Sequence, residues 1–304
     1  MEGIPLKRIE KVADMAQAAR RLASEGKSIG FVPTMGFLHE GHLALAAEAR
    51  KENDVVIMSI FVNPAQFGPG EDFEGYPRDL ERDAELAEKA GVDLLFHPSS
   101  EEMYPEDSDI RILPGRQAGV LCGASRPGHF DGVLKVLTKL FHLARPERAY
   151  FGQKDAQQLA IIETFVRDYN FPLEIRRVPT VREKDGLAKS SRNVRLTAQE
   201  RRQAPSIYEA LREGARVLRE TGDAELALGT VGHSLGSIPG AETDYAEILE
   251  YPSLFPLSSE SREAIIAAAV RFSGARLIDN ILIPLKGKPG HVYQRSRRPS
   301  CPAR

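Results

Sequence analysis

No run of apolar residues in the 304 is long enough to span a bilayer. The opening MEGIPLKRIEKVADM breaks its apolar positions with charge where a secretory signal would carry an apolar core, so neither secretion nor membrane insertion is expected. Cysteine is scarce as well. Cys122 and Cys301 lie far apart, form neither a disulfide framework nor a CxxC knuckle, and fit a reducing cytoplasm. Nor is there an excess of charge. With 41 Lys and Arg against 43 Asp and Glu the net is −2, so no general attraction to nucleic acid is expected and a small-molecule ligand is favoured. No internal repeat and no Asp/Glu cluster marking a metal cage is visible.

What is there is an ordinary globular composition, 42% hydrophobic and 28% charged, on a chain long enough for one large domain or two. Ile9, Val12, Met15, Ala16, Ala19 and Leu22 recur at helical spacing ahead of a first strand at Ser28 to Val32, so the chain is expected to open helix then strand. The nearly unbroken apolar run Asp54 to Val62 reads as a strand buried on both faces, and Val92 to Phe96, Arg148 to Phe151 and Leu173 to Val178 read as further strands. Between them Asp79 to Ala90, Val133 to Ala144 and Asp155 to Tyr169 read as helices, and Leu43 opens another. Such alternation implies an α/β fold with a doubly wound parallel sheet, whose ligands sit beyond the carboxyl ends of the strands. After about Val181 the pattern changes to helices at Thr197 to Thr221 and Ala224 to Leu235, then strand-like runs at Asp244 to Glu250 and Ala275 to Leu285. The expected division is 1–180, a smaller α+β domain over 181–285, and a flexible basic tail over 286–304.

Four segments carry candidate chemistry. The first, FVPTMGFLHEGH, runs from a strand through a turn at Pro33 to Leu38 into a helix. Free amides at a helix N-terminus, with His39 and His42 three residues apart, suit phosphate. A pair of satisfied capping histidines, or half a zinc site, would share this pattern, although the metalloprotease spacing is absent. In the second, DGLAKSSRN, Lys189, Ser190, Ser191 and Arg192 follow Gly186 as a mobile loop closing over a triphosphate would require, and as a surface turn also would. The third is FGQKDAQQ. There Gly152 admits a nucleotide, Lys154 offers a cation, and Asp155 accepts from ribose or caps the helix. The fourth, SIFVNPAQF, sets the neutral amides of Asn63 and Gln66 past a strand, suited to a hydroxy acid, with Gln158 as an opposing donor. His129 in RPGHFDGV is either a phosphate or substrate contact or a cap.

Together PTMGFLHEGH, SIFVNPAQF, YPRDLERD, RPGHFDGV, YFGQKDAQQ, PTVREKDGLAKSSRN and RLIDN resemble the pantoate–β-alanine ligase (pantothenate synthetase) family, in the family's order and over nearly the whole chain. The resemblance implies a Rossmann-like ATP- and pantoate-binding domain, a smaller C-terminal lid domain, and HIGH- and KMSKS-like signatures. It implies that Met35, Gly36, Phe37, Leu38, His39, Glu40, Gly41 and His42 line the ATP site, with His42 as proton donor. Gly152, Gln153, Lys154, Asp155, Val181 and Lys189 to Arg192 fall on further ATP positions, and Gln66 and Gln158 on pantoate positions, Gln66 also meeting β-alanine. Two departures stand out: Gln153 where the family often has Glu, and Lys189 where it often has an apolar residue. The implied enzyme is a cytoplasmic homodimer that joins pantoate to β-alanine through pantoyl adenylate, with Mg²⁺ carried on the ATP phosphates. His39, His42, Lys154, Ser190, Ser191 and Arg192 would be its catalytic groups. The rivals are another nucleotidylyltransferase, whose acceptor pocket should be cationic where SIFVNPAQF is neutral, and a nucleotide sensor without turnover.

Overall fold

The protein is described by a computed structural model covering residues 6–106 and 109–285, so the basic segment 286–304 lies outside the described residues. A three-residue strand β1 (Lys7–Ile9) comes first, ahead of α1 (Val12–Ser24). The expected helix-first opening is thus corrected: β1 is too short for a periodic signal, and only its parallel pairing with a later strand reveals it. There follow β2 (Ile29–Thr34), α2 (Glu40–Glu52), β3 (Val55–Ile60), α3 (Leu80–Lys89), β4 (Leu94–Phe96) and the short helices α4 (Ser100–Met103) and α5 (Leu121–Ser125). Then come α6 (His129–Ala144), β5 (Arg148–Gly152), α7 (Ala156–Asp168) and β6 (Glu174–Val178). The six strands form one parallel sheet in the order β1-β4-β3-β2-β5-β6.

Alternate strand residues feed two cores. Phe31, Ile57, Phe96 and Phe151 pack under α1, α6 and α7, while Val32, Met58, Leu95 and Tyr150 pack under α2 and α3. Burying each such side chain contributes roughly 1.5–3 kcal/mol, which explains why the strands read as unbroken apolar runs rather than alternating ones. Strand order reverses between β2 and β5, one half winding outward through β3 and β4 and the other through β6. A crevice at the carboxyl ends of those two strands is the consequence.

The remaining chain forms α8 (Ala198–Gln203), α9 (Ser206–Thr221), α10 (Ala224–Gly236), β7 (Glu242–Glu250), β8 (Glu263–Arg271) and β9 (Arg276–Pro284). The three strands make an antiparallel sheet with β8 in the middle. Two expectations change here. The single helix over Thr197 to Thr221 is two, because Pro205 cannot donate the backbone bond that would join them. Strand β8 was not foreseen, since Ala-rich EAIIAAAVR has weak strand propensity and becomes a strand by burial on both sides. No helix among the described residues is long and apolar enough to cross a membrane.

Candidate active site

A cavity of about 240 Å³ opens at the crevice between β2 and β5. Met35, His39, Gly41 and His42 line it from the end of β2 and the start of α2, and Gly152, Lys154, Asp155 and Gln158 from the end of β5 and the start of α7. Asn63 and Gln66 enter from the end of β3, and Val181 with Lys189, Ser190, Ser191 and Arg192 from the segment after β6. Four separately read motifs therefore meet in one space.

His39 caps α2 and starts it three residues earlier than expected. Its Nδ1 accepts from the Gly41 amide at 3.1 Å, and His42 Nδ1 accepts from the His39 amide at 3.3 Å, a reciprocal box built of two imidazoles. Because each Nδ1 accepts, each ring carries its proton on Nε2, the remaining donor. Burial lowers the pKa of His42 to about 3, helped by the neighbouring His39 and Lys154, and burial with Lys154 lowers that of His39 to about 4. Both are neutral near pH 7. Much of the expected cradle of free backbone amides is already engaged within the protein. Phe37 and Leu38 donate to the Asp83 carboxylate at 2.6 and 2.7 Å, Gly36 to Thr34 Oγ1 at 3.2 Å, and His42 to the His39 carbonyl at 2.8 Å.

Asn63 is 1% exposed and spends its whole amide inside the protein. Its Nδ2 donates to Gln66 Oε1 and the Gly132 carbonyl, and its Oδ1 accepts from the Ala65 amide and the Tyr104 hydroxyl. Asn63 is thus a support rather than the ligand donor expected. It turns Gln66 so that Oε1 faces inward and Nε2 has only the weak acceptor Met35 Sδ, at 3.0 Å. Gly132 makes this possible, because a Cβ there would collide with the Ala65 carbonyl. The Gln158 side chain has no hydrogen bond among the described residues and lines the same cavity as Gln66.

His129 does not line this cavity. Its Nδ1–H donates to the Gln66 carbonyl at 2.8 Å and its Nε2 accepts from Arg126 at 3.0 Å, with burial and then Arg126 lowering its pKa to about 4. It lines a neighbouring cavity of about 360 Å³ between helices α5 to α7 and the three-stranded sheet, whose wall shares Lys154, Asp155, Gln158, Ser190 and Arg192 with the first. Four more expected positions do not line the first cavity. Leu38 is fully buried, Phe37 lies beneath the Arg82 guanidinium, Gly36 turns toward a third cavity, and Glu40 points outward to Lys189. Gln153 contributes its carbonyl to Asn280 Nδ2.

On the opposite rim Ser191–Arg195 is a 3-10 turn capped by Ser190 Oγ, which accepts from the Arg192 amide. Its cations are paired: Lys189 with Glu183 at 3.0 Å and Glu40 at 3.3 Å, Arg192 with Asp72 at 3.6 Å. Lys154 has no ion-pair partner among the described residues, and Asp155 stands at the N-cap of α7 without a side-chain capping bond. Sequence reasoning missed the supports. Asp83 lies in YPRDLERD, Arg126 in RPGHFDGV, and Asp279 and Asn280 in RLIDN, where only their place in a motif hinted at a role. Arg182 pairs with Asp279 at 2.6 Å and Asn280 Nδ2 reaches the Gln153 and Lys154 carbonyls, so β9 props the loop bearing Lys154. Among the described residues no group of three or more His, Cys, Asp or Glu could hold a metal ion.

A family model described as Pantoate-beta-alanine ligase matches residues 7–282. Pantothenate synthetase of Lysinibacillus sphaericus is 60% identical over 260 residues, covering 86% of this chain and 92% of that protein. The enzyme of that name from Bacillus subtilis is 54% identical, covering 92% and 98%. Among solved structures, pantothenate synthetase from Thermus thermophilus superposes with a TM-score of 0.85 at 49% identity, covering 90% of this chain and 98% of that one. Pantoate-beta-alanine ligase from Francisella tularensis, complexed with beta-gamma ATP and beta-alanine, superposes with a TM-score of 0.75 at 36% identity, covering 91% and 97%.

Proposed function

The chain belongs to the pantoate–β-alanine ligase family, ATP-using enzymes that form pantothenate, and from that premise we propose how its residues carry the reaction. A pantoate carboxylate oxygen attacks the α-phosphorus of ATP, the bond to the bridging oxygen breaks, and pyrophosphate leaves. The β-alanine amine then attacks the acyl carbon of pantoyl adenylate, gives up a proton, and AMP departs with the acyl C–O electron pair. The first nucleophile is already ionised, so the first step needs no general base. It needs stabilisation of charge gathering on phosphate oxygens.

The observation that carries this assignment is the pair of neutral imidazoles, each with its Nε2–H as the uncommitted donor, in one cavity with Lys154 and the Gln66 and Gln158 amides. Neutral donors suit a hydrogen bond that strengthens as the phosphate gains charge, so His42 acts as a donor to the transition state rather than as an imidazolium acid. Gln66 and Gln158 hold pantoate, with Gln66 also placed to meet β-alanine. Lys154, Lys189, Ser190, Ser191 and Arg192 bind the triphosphate, with Gly152, Asp155 and Val181 toward the ribose and base. A Mg²⁺ ion carried on the ATP phosphates would neutralise part of their charge, and Asp155 is the carboxylate lining the cavity on the side where the nucleotide would lie. We read 1–180 and 181–285 as two domains that share the site, in a cytoplasmic homodimer.

Pyrophosphate exchange into ATP tests the assignment. Exchange should need pantoate and not β-alanine; exchange that runs without pantoate, or that waits for β-alanine, contradicts it.

A further inference from the structure

We propose that Asp83 is a positioning residue for adenylation: its carboxylate fills the anion-binding turn ahead of α2, leaving the His39 and His42 imidazoles as the donors that face phosphate. This deepens the function proposed above and rests on the role given there to the histidines.

The turn is built like a phosphate nest. Gly36 and Phe37 have φ of +84° and +50°, and the next two amides, Phe37 and Leu38, converge on a single anion. That anion belongs to the protein. Asp83, on α3 and 1% exposed, takes the Phe37 amide on Oδ2 at 2.6 Å and the Leu38 amide on Oδ1 at 2.7 Å. Its ion-pair partner, Arg82, stands at 3.5 Å with its guanidinium against the Phe37 ring. Gly36 leaves room for the carboxylate, since a Cβ there would lie 3.0 Å from Asp83 Oδ2 and 2.9 Å from Ile60 Cγ2.

The connection to chemistry is one residue long. Leu38 is fully buried and precedes His39, whose own amide donates to His42 Nδ1. That bond keeps the His42 proton on Nε2. Asp83 therefore acts through the Phe37–Leu38 backbone on the orientation and tautomer of the imidazoles, without touching the cavity they line. A helix start usually offers its own amides to phosphate. Here the amides of the turn just ahead of the helix are already taken by Asp83, and the histidine side chains beside them are the donors left facing the cavity.

Asp83→Asn is the test, because its amide has the same shape but opposes one backbone N–H with an NH₂. Three readouts apply to the folded variant: pyrophosphate exchange with pantoate, the KM for ATP, and ¹⁵N spectra of the histidine rings. The expected result is a fall in exchange kcat of about 10-fold or more, KM for ATP within about 3-fold, and a His42 signal that no longer reports a single Nε2–H tautomer. Wild-type exchange with an unchanged Nε2–H signature overturns the proposal. Should Asp83→Asn not fold, Gly36→Ala presses on the same carboxylate and should give the same kinetic and spectroscopic change. The wild-type protein supplies an independent check: the Phe37 and Leu38 amides should keep their protection and chemical shifts when inorganic pyrophosphate is added. Large shifts there would place phosphate on the amides and overturn the idea. If His42→Ala leaves exchange intact, the role of the histidines fails instead, while the tautomer readout still judges Asp83.

Discussion

The two rims of the proposed nucleotide cavity present their donors in different ways. On the α2 side His39 and His42 are neutral, and backbone amides orient their rings. On the other side Lys189 and Arg192 are permanent charges held by Glu183, Glu40 and Asp72. An oriented neutral donor has little to reorganise as charge develops on phosphate. A half-exposed cation must exchange a carboxylate for the triphosphate, and the gain is the small difference between two screened ion pairs. The first rim is thereby suited to the transition state, and the second to holding ATP in both ground and transition states.

The largest effect expected from this contrast is in His42→Ala, with a loss of at least ~10²-fold in single-turnover adenylation, on the order of 3 kcal/mol, and little change in ATP affinity. Near-normal adenylation would reduce His42 to a helix cap and erase the difference between the rims. Next is Asn63→Ala, which frees the Gln66 amide to rotate and should lower kcat/KM for pantoate about 10-fold, while kcat/KM for β-alanine measured on preformed adenylate moves less. Steady-state kinetics with each substrate varied would show it. Smaller still is Asp72→Asn. Releasing Arg192 from a partner 3.6 Å away, and Arg195 from the same carboxylate at 2.8 Å, should change the KM for ATP by no more than about 5-fold, consistent with part-exposed pairs screened by solvent. A hundredfold change would mean that the second rim also works on the transition state.

A stability prediction follows from the same neutrality. His39, His42 and His129 have pKa values of about 4, 3 and 4 in the fold against 6.5 when free. Between those limits the unfolded chain binds more protons than the folded one, so stability should fall as pH drops from about 6.5 toward 4. Replacing His42 by Asn should flatten that acid slope in thermal melts. An unchanged slope would show that the ring is already protonated in the fold.

Much of this was legible in the sequence, for reasons that differ by element. Strands buried on both faces advertise themselves as apolar runs, which is why β2 to β5 stood out, while the exposed edge strand β6 was legible only from its place after a helix, and the motif ends lie where those strands stop. β1 and β8 were hidden because a three-residue edge strand has no period and an Ala-rich strand resembles a helix. The donors facing the cavity were legible as residue types at strand ends. Their supports were not, since Asp83, Asn280 and Arg126 act by long-range bonds to backbone or carboxylate that no local spacing encodes. Asn63 shows the limit most clearly. Its position suggested a substrate donor, and only the four bonds of its amide reveal that it steadies Gln66 instead.

The most direct test of the neutral-donor account is the pH dependence of pyrophosphate exchange with pantoate and saturating ATP. If His39 and His42 work as neutral Nε2–H donors, the wild-type rate should show no acid limb near pH 6.5 and should hold down to about pH 5. An acid or alkaline limb centred near pH 6.5 that disappears in His42→Asn would show that the imidazole titrates in the working range and would contradict the account.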